Sequence, residues 1–177
     1  NYSFDGYDVI HIDWILPFQN ETFQSYAFRI SENMNDENAI LIGLSFGGML
    51  SVEISKMKKF KKIFLLSAAK TMFEIPLYYR VLGKLNLLKI IPVSFFKSVN
   101  FLTYLVFGAK TNSEKNLLKD IVKNTESSFM KWALHQIINW KNKDFDRNIV
   151  HIQGNRDLIL PHYFVKYDYL IEGGTHF

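Results

Sequence analysis

Residues 41–50 read LIGLSFGGML, and they place one serine between two glycines at the end of an apolar run. Gly43, Ser45 and Gly47 form the pattern G-x-S-x-G. The residues from Ala39 to Ile42 are typical of a buried strand, and those after Gly47 are typical of a mostly buried helix. A serine at a sharp turn from strand to helix is held in strained backbone geometry with its hydroxyl exposed. The stretch therefore predicts a nucleophile elbow centred on Ser45.

The spacing of the glycines has a steric explanation. Side chains two residues before and after the serine would collide at such a turn, and Gly43 and Gly47 remove that collision. The turn also directs the first backbone N–H groups of the following helix at the place where an oxyanion would develop. We therefore predict that the N–H of Phe46 is an oxyanion donor.

Short β-rich runs recur along the chain, and they are nearly continuous in apolar residues rather than alternating. Such runs are typical of strands buried on both faces of a parallel sheet. The runs are Tyr7 to Ile12, Ala39 to Ile42, Lys62 to Leu66, Ile149 to Gln153 and Tyr167 to Ile171. Apolar residues between the first two runs have helical spacing from position 23 to 30. The alternation predicts an α/β fold with a mostly parallel central sheet flanked by helices.

The alternation stops between residues 71 and 142, where the spacing is helical. Pro76 and Pro92 interrupt this region, which is rich in apolar side chains: Leu82, Leu85, Leu87, Leu88, Ile90, Phe95, Phe96, Phe101, Leu102, Tyr104, Leu105 and Phe107. We predict a helical cap or lid insertion over 71–142 and a core formed by 1–70 and 143–177. Such an insertion can supply apolar walls for a substrate or simply pack on the body, and both can hold.

A serine nucleophile needs a base. His176 lies on the glycine-rich turn of IEGGTHF, just beyond the last predicted strand at the carboxyl edge of the sheet. His162 on a loop is the weaker rival. His11 and His151 lie inside strand patterns, where a core histidine is the better interpretation, and His135 lies in the helical insertion.

The base in turn needs an acid that orients it. Asp157 in HIQGNRDLILP follows its predicted strand by four residues and lies at the same carboxyl edge. Asp144 and Asp146 precede that strand and would lie at the opposite edge, and Asp168 falls within the next strand pattern. The pattern therefore favours Asp157.

The order Ser45, Asp157, His176 resembles that of the α/β-hydrolase superfamily. The elbow GLSFGG, the acid turn GNRDLILP and the histidine turn GGTHF look like its motifs, and YDVIHID resembles the strand and Asp that precede the elbow strand. The resemblance covers residue 7 to the end, with the insertion matching only in position and helical character. It implies an esterase-like serine hydrolase acting on a small carboxylic ester or thioester with an apolar acyl part.

Alternatives stay open within and beyond this fold. An acyltransferase, a hydrolase of carbon–carbon bonds and a non-catalytic binding protein would share the same glycines. A basic nucleic-acid binder ranks last, because the net charge of +4 is spread along the chain. The cluster from Lys56 to Lys62 is more typical of a solvated helix end.

The chain departs from the family in two places. Asp13 is followed by WILPFQN rather than by glycines, and the segment that supplies the first oxyanion donor does not occur in these residues. We expect the natural protein to carry about 20 to 40 further N-terminal residues with a strand and a glycine-bearing loop. We also expect a helix after Phe177.

Several classes of site are excluded by composition. The chain has no cysteine, which excludes disulfides and thiolate metal sites and is compatible with a cytoplasmic location. A P-loop, a G-x-G-x-x-G pattern and an H-E-x-x-H pattern are absent, so we predict no cofactor and no metal. Charges and prolines interrupt the apolar region from Val81 to Ala109, so we predict no membrane span. The oligomeric state is left open.

Overall fold

A computed structural model describes residues 4–85 and 97–176 of the chain. Its sheet has four parallel strands that lie side by side in chain order. The strands are β1 (Ile40–Leu44), β2 (Lys62–Leu66), β3 (Ile149–Gly154) and β4 (Tyr169–Ile171). Because all four run the same way, the turns that follow them meet at one edge. The parallel sheet predicted from the apolar runs is confirmed.

One helix precedes β1, and the others lie in the connections from β1 to β2 and from β2 to β3. The helices are α1 (Phe23–Ile30), α2 (Phe46–Ser55), α3 (Leu77–Lys84), α4 (Phe101–Phe107), α5 (Asn112–Asn124) and α6 (Ser127–Asn139), with short 3₁₀ turns at Met72–Glu74 and His162–Phe164. Local signals set their ends. The side chain of Thr22 accepts the N–H of Ser25 at the start of α1, and the reciprocal bonds of Thr111 and Glu114 cap α5.

The main core lies between the sheet and helices α1, α2 and α6. Tyr26, Val52 and Leu65 are fully enclosed there, and burial of such side chains stabilises the fold by about 1.5–3 kcal/mol each. Glu53 is buried as well, because the indole N–H of Trp140 donates to it at 2.6 Å. This core fixes the start of α2 against the end of β1.

The helical insertion packs partly on the body and partly on itself. Phe129 and Ala133 of α6 belong to the main core, whereas Ala109, Leu118 and Val122 form a second small cluster. The predicted apolar residues Leu87, Leu88, Ile90, Phe95 and Phe96, together with Pro92, lie outside the described residues. The helical insertion between β2 and β3 is confirmed, and the division of the chain at residues 70 and 143 stays a prediction.

The predicted strand from Tyr7 to Ile12 is wrong for this structure. These residues form no strand, and Ile10 is 84% exposed. A strand needs a neighbour for its hydrogen bonds, and among the described strands β1 pairs with β2 alone. Ile42 and Leu44 of β1 are accordingly about half exposed. No helix in the described part of the chain is long and apolar enough to cross a membrane.

Candidate active site

Ser45 occupies a sharp turn between β1 and α2. It is the N-cap residue of α2, with φ 51° and ψ −118°. A non-glycine residue at positive φ stores about 1–3 kcal/mol of strain and persists only where its surroundings hold it. Here the N–H of Ser45 donates to the carbonyl of Leu66 on β2 at 2.9 Å, and the carbonyl of Ser45 accepts the N–H of Gly48 at 3.0 Å. The strained turn predicted from the sequence is confirmed.

The glycines around Ser45 have different reasons for being glycine. A Cβ at Gly43 would lie 2.5 Å from the carbonyl oxygen of Gly47, so the predicted collision is real there. A Cβ at Gly47 would meet only Trp14, at an ordinary 3.7 Å. The steric explanation of Gly47 is therefore wrong in this structure. Gly48 has to be glycine as well, because a Cβ there would collide with Ala68, two residues beyond the end of β2.

The three polar residues singled out in the sequence are in direct contact. Nε2 of His176 lies 2.9 Å from Oγ of Ser45, and Nδ1 of His176 lies 2.8 Å from Oδ2 of Asp157. The carboxylate accepts the Nδ1 proton, which leaves the lone pair of Nε2 facing the serine hydroxyl. His176 and Asp157 are buried, 5% and 3% exposed.

The ionised form of Asp157 is stabilised by its neighbours. Burial alone would raise the pKa of Asp157, but bonds from His176, Leu160 and Gln153 outweigh that effect and hold the pKa below its ordinary value. The N–H groups of Ile159 and Leu160 donate to Oδ1 at 2.9 and 2.8 Å. The group is thus a carboxylate at neutral pH, and it can stabilise a positive charge on His176.

Two turns bring the acid and the histidine together. The turn after β3 carries Asp157, and the turn after β4 carries His176. The N–H of Arg156 donates to the carbonyl of Gly174 at 2.8 Å, and the side chain of Asn155 accepts the N–H of Gly173 at 2.8 Å. The two turns are therefore fastened to each other.

No protein-family model and no curated protein matches the chain, but solved structures do. A hydrolase from Pseudomonas aeruginosa PA01 superposes with a TM-score of 0.59 at 11% identity, covering 90% of this chain and 66% of that one. A thermophilic esterase from Thermogutta terrifontis gives 0.55 at 10%, covering 92% and 68%. The meta-cleavage product hydrolase CumD from Pseudomonas fluorescens IP01 gives 0.55 at 14%, covering 89% and 66%.

The chain has the α/β-hydrolase fold. It spans about two thirds of the length of these three structures. At identities of 10 to 14% the likeness establishes the fold, and the reaction has to be argued from the side chains of the site. Structures with this fold include hydrolases and esterases.

Phe46 follows the serine at the start of α2. The first N–H groups of a helix have no partner within the helix, and its dipole favours negative charge at that end. The ring of Phe46 stacks on Phe23 with centroids 5.1 Å apart and also contacts Trp14. These contacts fix the backbone from which the N–H projects. Its role as oxyanion donor stays a prediction.

A small cavity opens beside Ser45 and His176, with a volume of about 70 Å³. Its walls are mostly apolar and include Ala68, Ala69 and Leu160 from the body, with Ile75, Tyr79 of α3 and Ile137 of α6 from the insertion. Burial raises the pKa of Tyr79 to about 12, so its phenol stays neutral. The insertion therefore forms part of the wall of this cavity, and no sequence pattern had identified the residues that do so.

The other histidines lie apart from Ser45. His162 lies in a 3₁₀ turn beside Tyr163 and Tyr167. His135 lies within α6, and His151 is fully buried in β3. The interpretation of His151 as a core histidine is confirmed. His11 is exposed, so the same interpretation is wrong there, because the segment around it forms no strand.

Sequence reasoning missed one polar contact of the site. Nε2 of Gln153 donates to Oδ2 of Asp157 at 3.0 Å and to the carbonyl of Leu160 at 2.8 Å. The available signal was a glutamine inside an otherwise apolar strand, which must find buried partners. Its partner could be named only once the turn after β3 was placed.

Proposed function

We propose that this protein is a serine hydrolase that cleaves a carboxylic ester or thioester with a small apolar acyl part. The observation that supports the proposal best is the continuous hydrogen-bonded chain from Ser45 through His176 to Asp157. Its first member sits in a strained turn at the start of a helix. Nucleophile, base and orienting acid in mutual contact are the arrangement that acyl transfer to serine requires.

In the proposed reaction Oγ of Ser45 attacks the carbonyl carbon while Nε2 of His176 accepts the hydroxyl proton. Asp157 stabilises the imidazolium, and the N–H of Phe46 binds the oxyanion. The attack gives a tetrahedral intermediate. This intermediate collapses when His176 gives its proton to the leaving alcohol or thiol, which departs and leaves the acyl group as an ester on Ser45. Water then attacks this acyl-enzyme with His176 as base, and the acid is released.

The cavity supports the assignment of the acyl part. Among the described residues its walls offer no charged partner for a substrate, and the cavity opens on Ser45 and His176. An apolar group that enters it leaves water, and the binding free energy rises with the apolar area buried. Its small volume favours a short chain over a long one.

A fluorophosphonate probe tests the proposal on the intact chain. Only an activated serine reacts with it, so mass spectrometry should find one covalent adduct, on the peptide that contains Ser45. Ser45→Ala should remove the adduct. Ser55→Ala is the matched control, because Ser55 is the last residue of the helix that Ser45 caps, and its hydroxyl donates to the carbonyl of Val52 at 2.8 Å. A folded protein that stays unlabelled would favour a non-catalytic binding protein.

A further inference from the structure

Gln153 reaches the carboxylate of Asp157 from inside the sheet. It is fully buried, and its Nε2 has two neighbours, Oδ2 of Asp157 at 3.0 Å and the carbonyl oxygen of Leu160 at 2.8 Å. Both neighbours are acceptors, so the amide of Gln153 must present its two N–H protons to them. The orientation of the amide is thereby decided, and Oε1 is left for another partner.

The carboxylate of Asp157 has contacts on both oxygens. Ile159 and Leu160 donate to Oδ1 through their backbone N–H groups. Oδ2 is shared between Nδ1 of His176 at 2.8 Å and Nε2 of Gln153. Without Gln153, Oδ2 would keep only its bond to the histidine that it has to orient. Gln153 thus restrains the carboxylate oxygen that holds His176.

His151 lies on the same face of β3, two residues before Gln153. Both side chains are 0% exposed. Among the described buried side chains, Nε2 of His151 and Oε1 of Gln153 are the atoms without a partner in hydrogen-bond geometry. An unsatisfied buried polar atom destabilises a protein by about 1–3 kcal/mol. These two atoms are complementary as donor and acceptor when His151 carries its proton on Nε2. Burial and Lys70 lower the pKa of His151, and the side chain of Gln153 offsets a small part of that effect.

Lys70 and Lys166 both lie beside Nδ1 of His151. Nζ of Lys70 lies 3.3 Å from Nδ1 of His151 and 3.7 Å from a carboxylate oxygen of Glu74, and it donates to the carbonyl of Lys166. An ammonium group can only donate, so Nδ1 accepts from Lys70 when the proton of His151 is on Nε2. The carbonyl of Lys166 also lies 3.1 Å from Nδ1. A proton on Nδ1 would instead be donated to this carbonyl, and both Nε2 of His151 and Oε1 of Gln153 would then be acceptors.

We propose that Gln153 is a positioning residue for Asp157, and that His151, with its proton on Nε2, holds the amide of Gln153 in its donating orientation. A series of buried polar side chains, from His151 through Gln153 to Asp157, then supports the site from the interior of the sheet. The inference rests on the proposed function, because Asp157 matters only if His176 is the base. It concerns residues that do not touch the substrate.

The first test is Gln153→Leu, which removes the donor and keeps a side chain of similar size. We expect kcat for p-nitrophenyl acetate to fall by about 10- to 100-fold, because the histidine loses its fixed orientation in the transition state. KM should change by less than about 2-fold, since no contact to the substrate is removed. Glu53→Gln is the control. Glu53 is a buried polar residue that accepts hydrogen bonds from Trp140 and Lys56, so its replacement should leave kcat unchanged.

Gln153→Glu supplies a readout that a merely structural role would not move. Below its pKa the new carboxylic acid can donate to Asp157, and above its pKa it repels Asp157. Burial and the neighbouring carboxylate raise that pKa, and the other facing groups are His151 and His176. We expect the activity relative to the wild type to fall by about 10-fold or more between pH 5.5 and 8.5. A ratio that is constant with pH would overturn the proposal.

The role of His151 is tested by combination. His151→Leu should lower kcat by about 3- to 10-fold, and the double variant with Gln153→Leu should be no slower than Gln153→Leu alone, because both act through one amide. If the two substitutions lowered kcat independently, so that their fold-losses multiplied in the double variant, the role of His151 would be overturned. Full kcat in folded Gln153→Leu would overturn the positioning role. Full activity in Ser45→Ala would instead refute the proposed function, so the two failures are distinguishable.

Discussion

Two buried histidines of this chain have opposite electrostatic surroundings. His176 has a carboxylate on Nδ1, 2.8 Å away, and a hydroxyl on Nε2. His151 has the ammonium group of Lys70 3.3 Å from its Nδ1. A carboxylate stabilises the imidazolium and an ammonium destabilises it. The pKa of His151 is accordingly lowered, first by burial and then by Lys70. The ammonium group beside Nδ1 therefore adds to the effect of burial on His151, whereas Nδ1 of His176 faces a carboxylate.

The two histidines also differ in their access to a ligand, because they occupy different places in the sheet. His151 lies within β3, where the sheet and its flanking helices enclose it completely. His176 lies in the turn beyond β4 and lines the cavity beside Ser45. In a parallel sheet the turns at the carboxyl edge can present side chains to a ligand, whereas the strand interiors cannot. The position of each histidine in the sheet decides whether a ligand can reach it, and the group beside Nδ1 decides whether a positive charge on the ring is stabilised.

The largest expected effect is the loss of activity in Ser45→Ala or His176→Ala. Each should lower kcat by about a million-fold, and the double variant should be little worse, because the residues act as a unit. His162→Ala should keep full activity. Steady-state hydrolysis of p-nitrophenyl acetate, with circular dichroism to check folding, provides the measurement. Activity that survives in His176→Ala and disappears in His162→Ala would show that the base has been chosen wrongly.

A smaller but severe effect is expected for Asp157→Asn. The amide can no longer stabilise a positive charge on His176, and it can impose the wrong tautomer, so kcat should fall by about ten-thousand-fold. Asp146→Asn is the matched control. That carboxylate accepts the N–H of Asn148 at the opposite edge of the sheet and should be neutral for turnover. Equal losses in the two variants would mean that the carboxylate effect is structural.

The parts of the site that the sequence predicted are those governed by local chain geometry. Gly43 and Ser45 reveal the elbow, because a strained turn needs particular residue types at fixed spacing. Asp157 and His176 could be ranked because each follows a continuous apolar run, and parallel strands bring such turns to one edge.

What the sequence could not predict depends on distant neighbours. Gln153 is part of a strand pattern until the turn with Asp157 folds over it, and Tyr79 and Ile137 reach the cavity only through the packing of the insertion. The strand expected from Tyr7 to Ile12 has suitable residues but no described strand beside it. Strand formation is a property of a pair of segments, and one sequence segment carries half of that information.

The contrast between the histidines also predicts a pH-dependent stability. The pKa of His151 is lowered in the folded state, so below about pH 6.5 the unfolded chain binds a proton that the folded chain does not. The free energy of unfolding should therefore decrease as the pH falls through this range, by at most about 1.4 kcal/mol per pH unit. His151→Leu should have a shallower slope between pH 7 and 5 in urea unfolding. Identical slopes would contradict the assignment.

The smallest effect concerns the cavity that opens on His176 and not on His151. A cavity of about 150 Å³ accepts benzene, so the 70 Å³ beside Ser45 holds about three carbons. Each buried methylene should contribute about 0.8 kcal/mol, or about 4-fold in kcat/KM, until the space is full. Rates for p-nitrophenyl esters should rise from acetate to butyrate and then fall. Ile75→Ala should move the maximum to longer chains, whereas Leu118→Ala, in the separate cluster of the insertion, should not. A flat or falling series would refute an acyl pocket at this place.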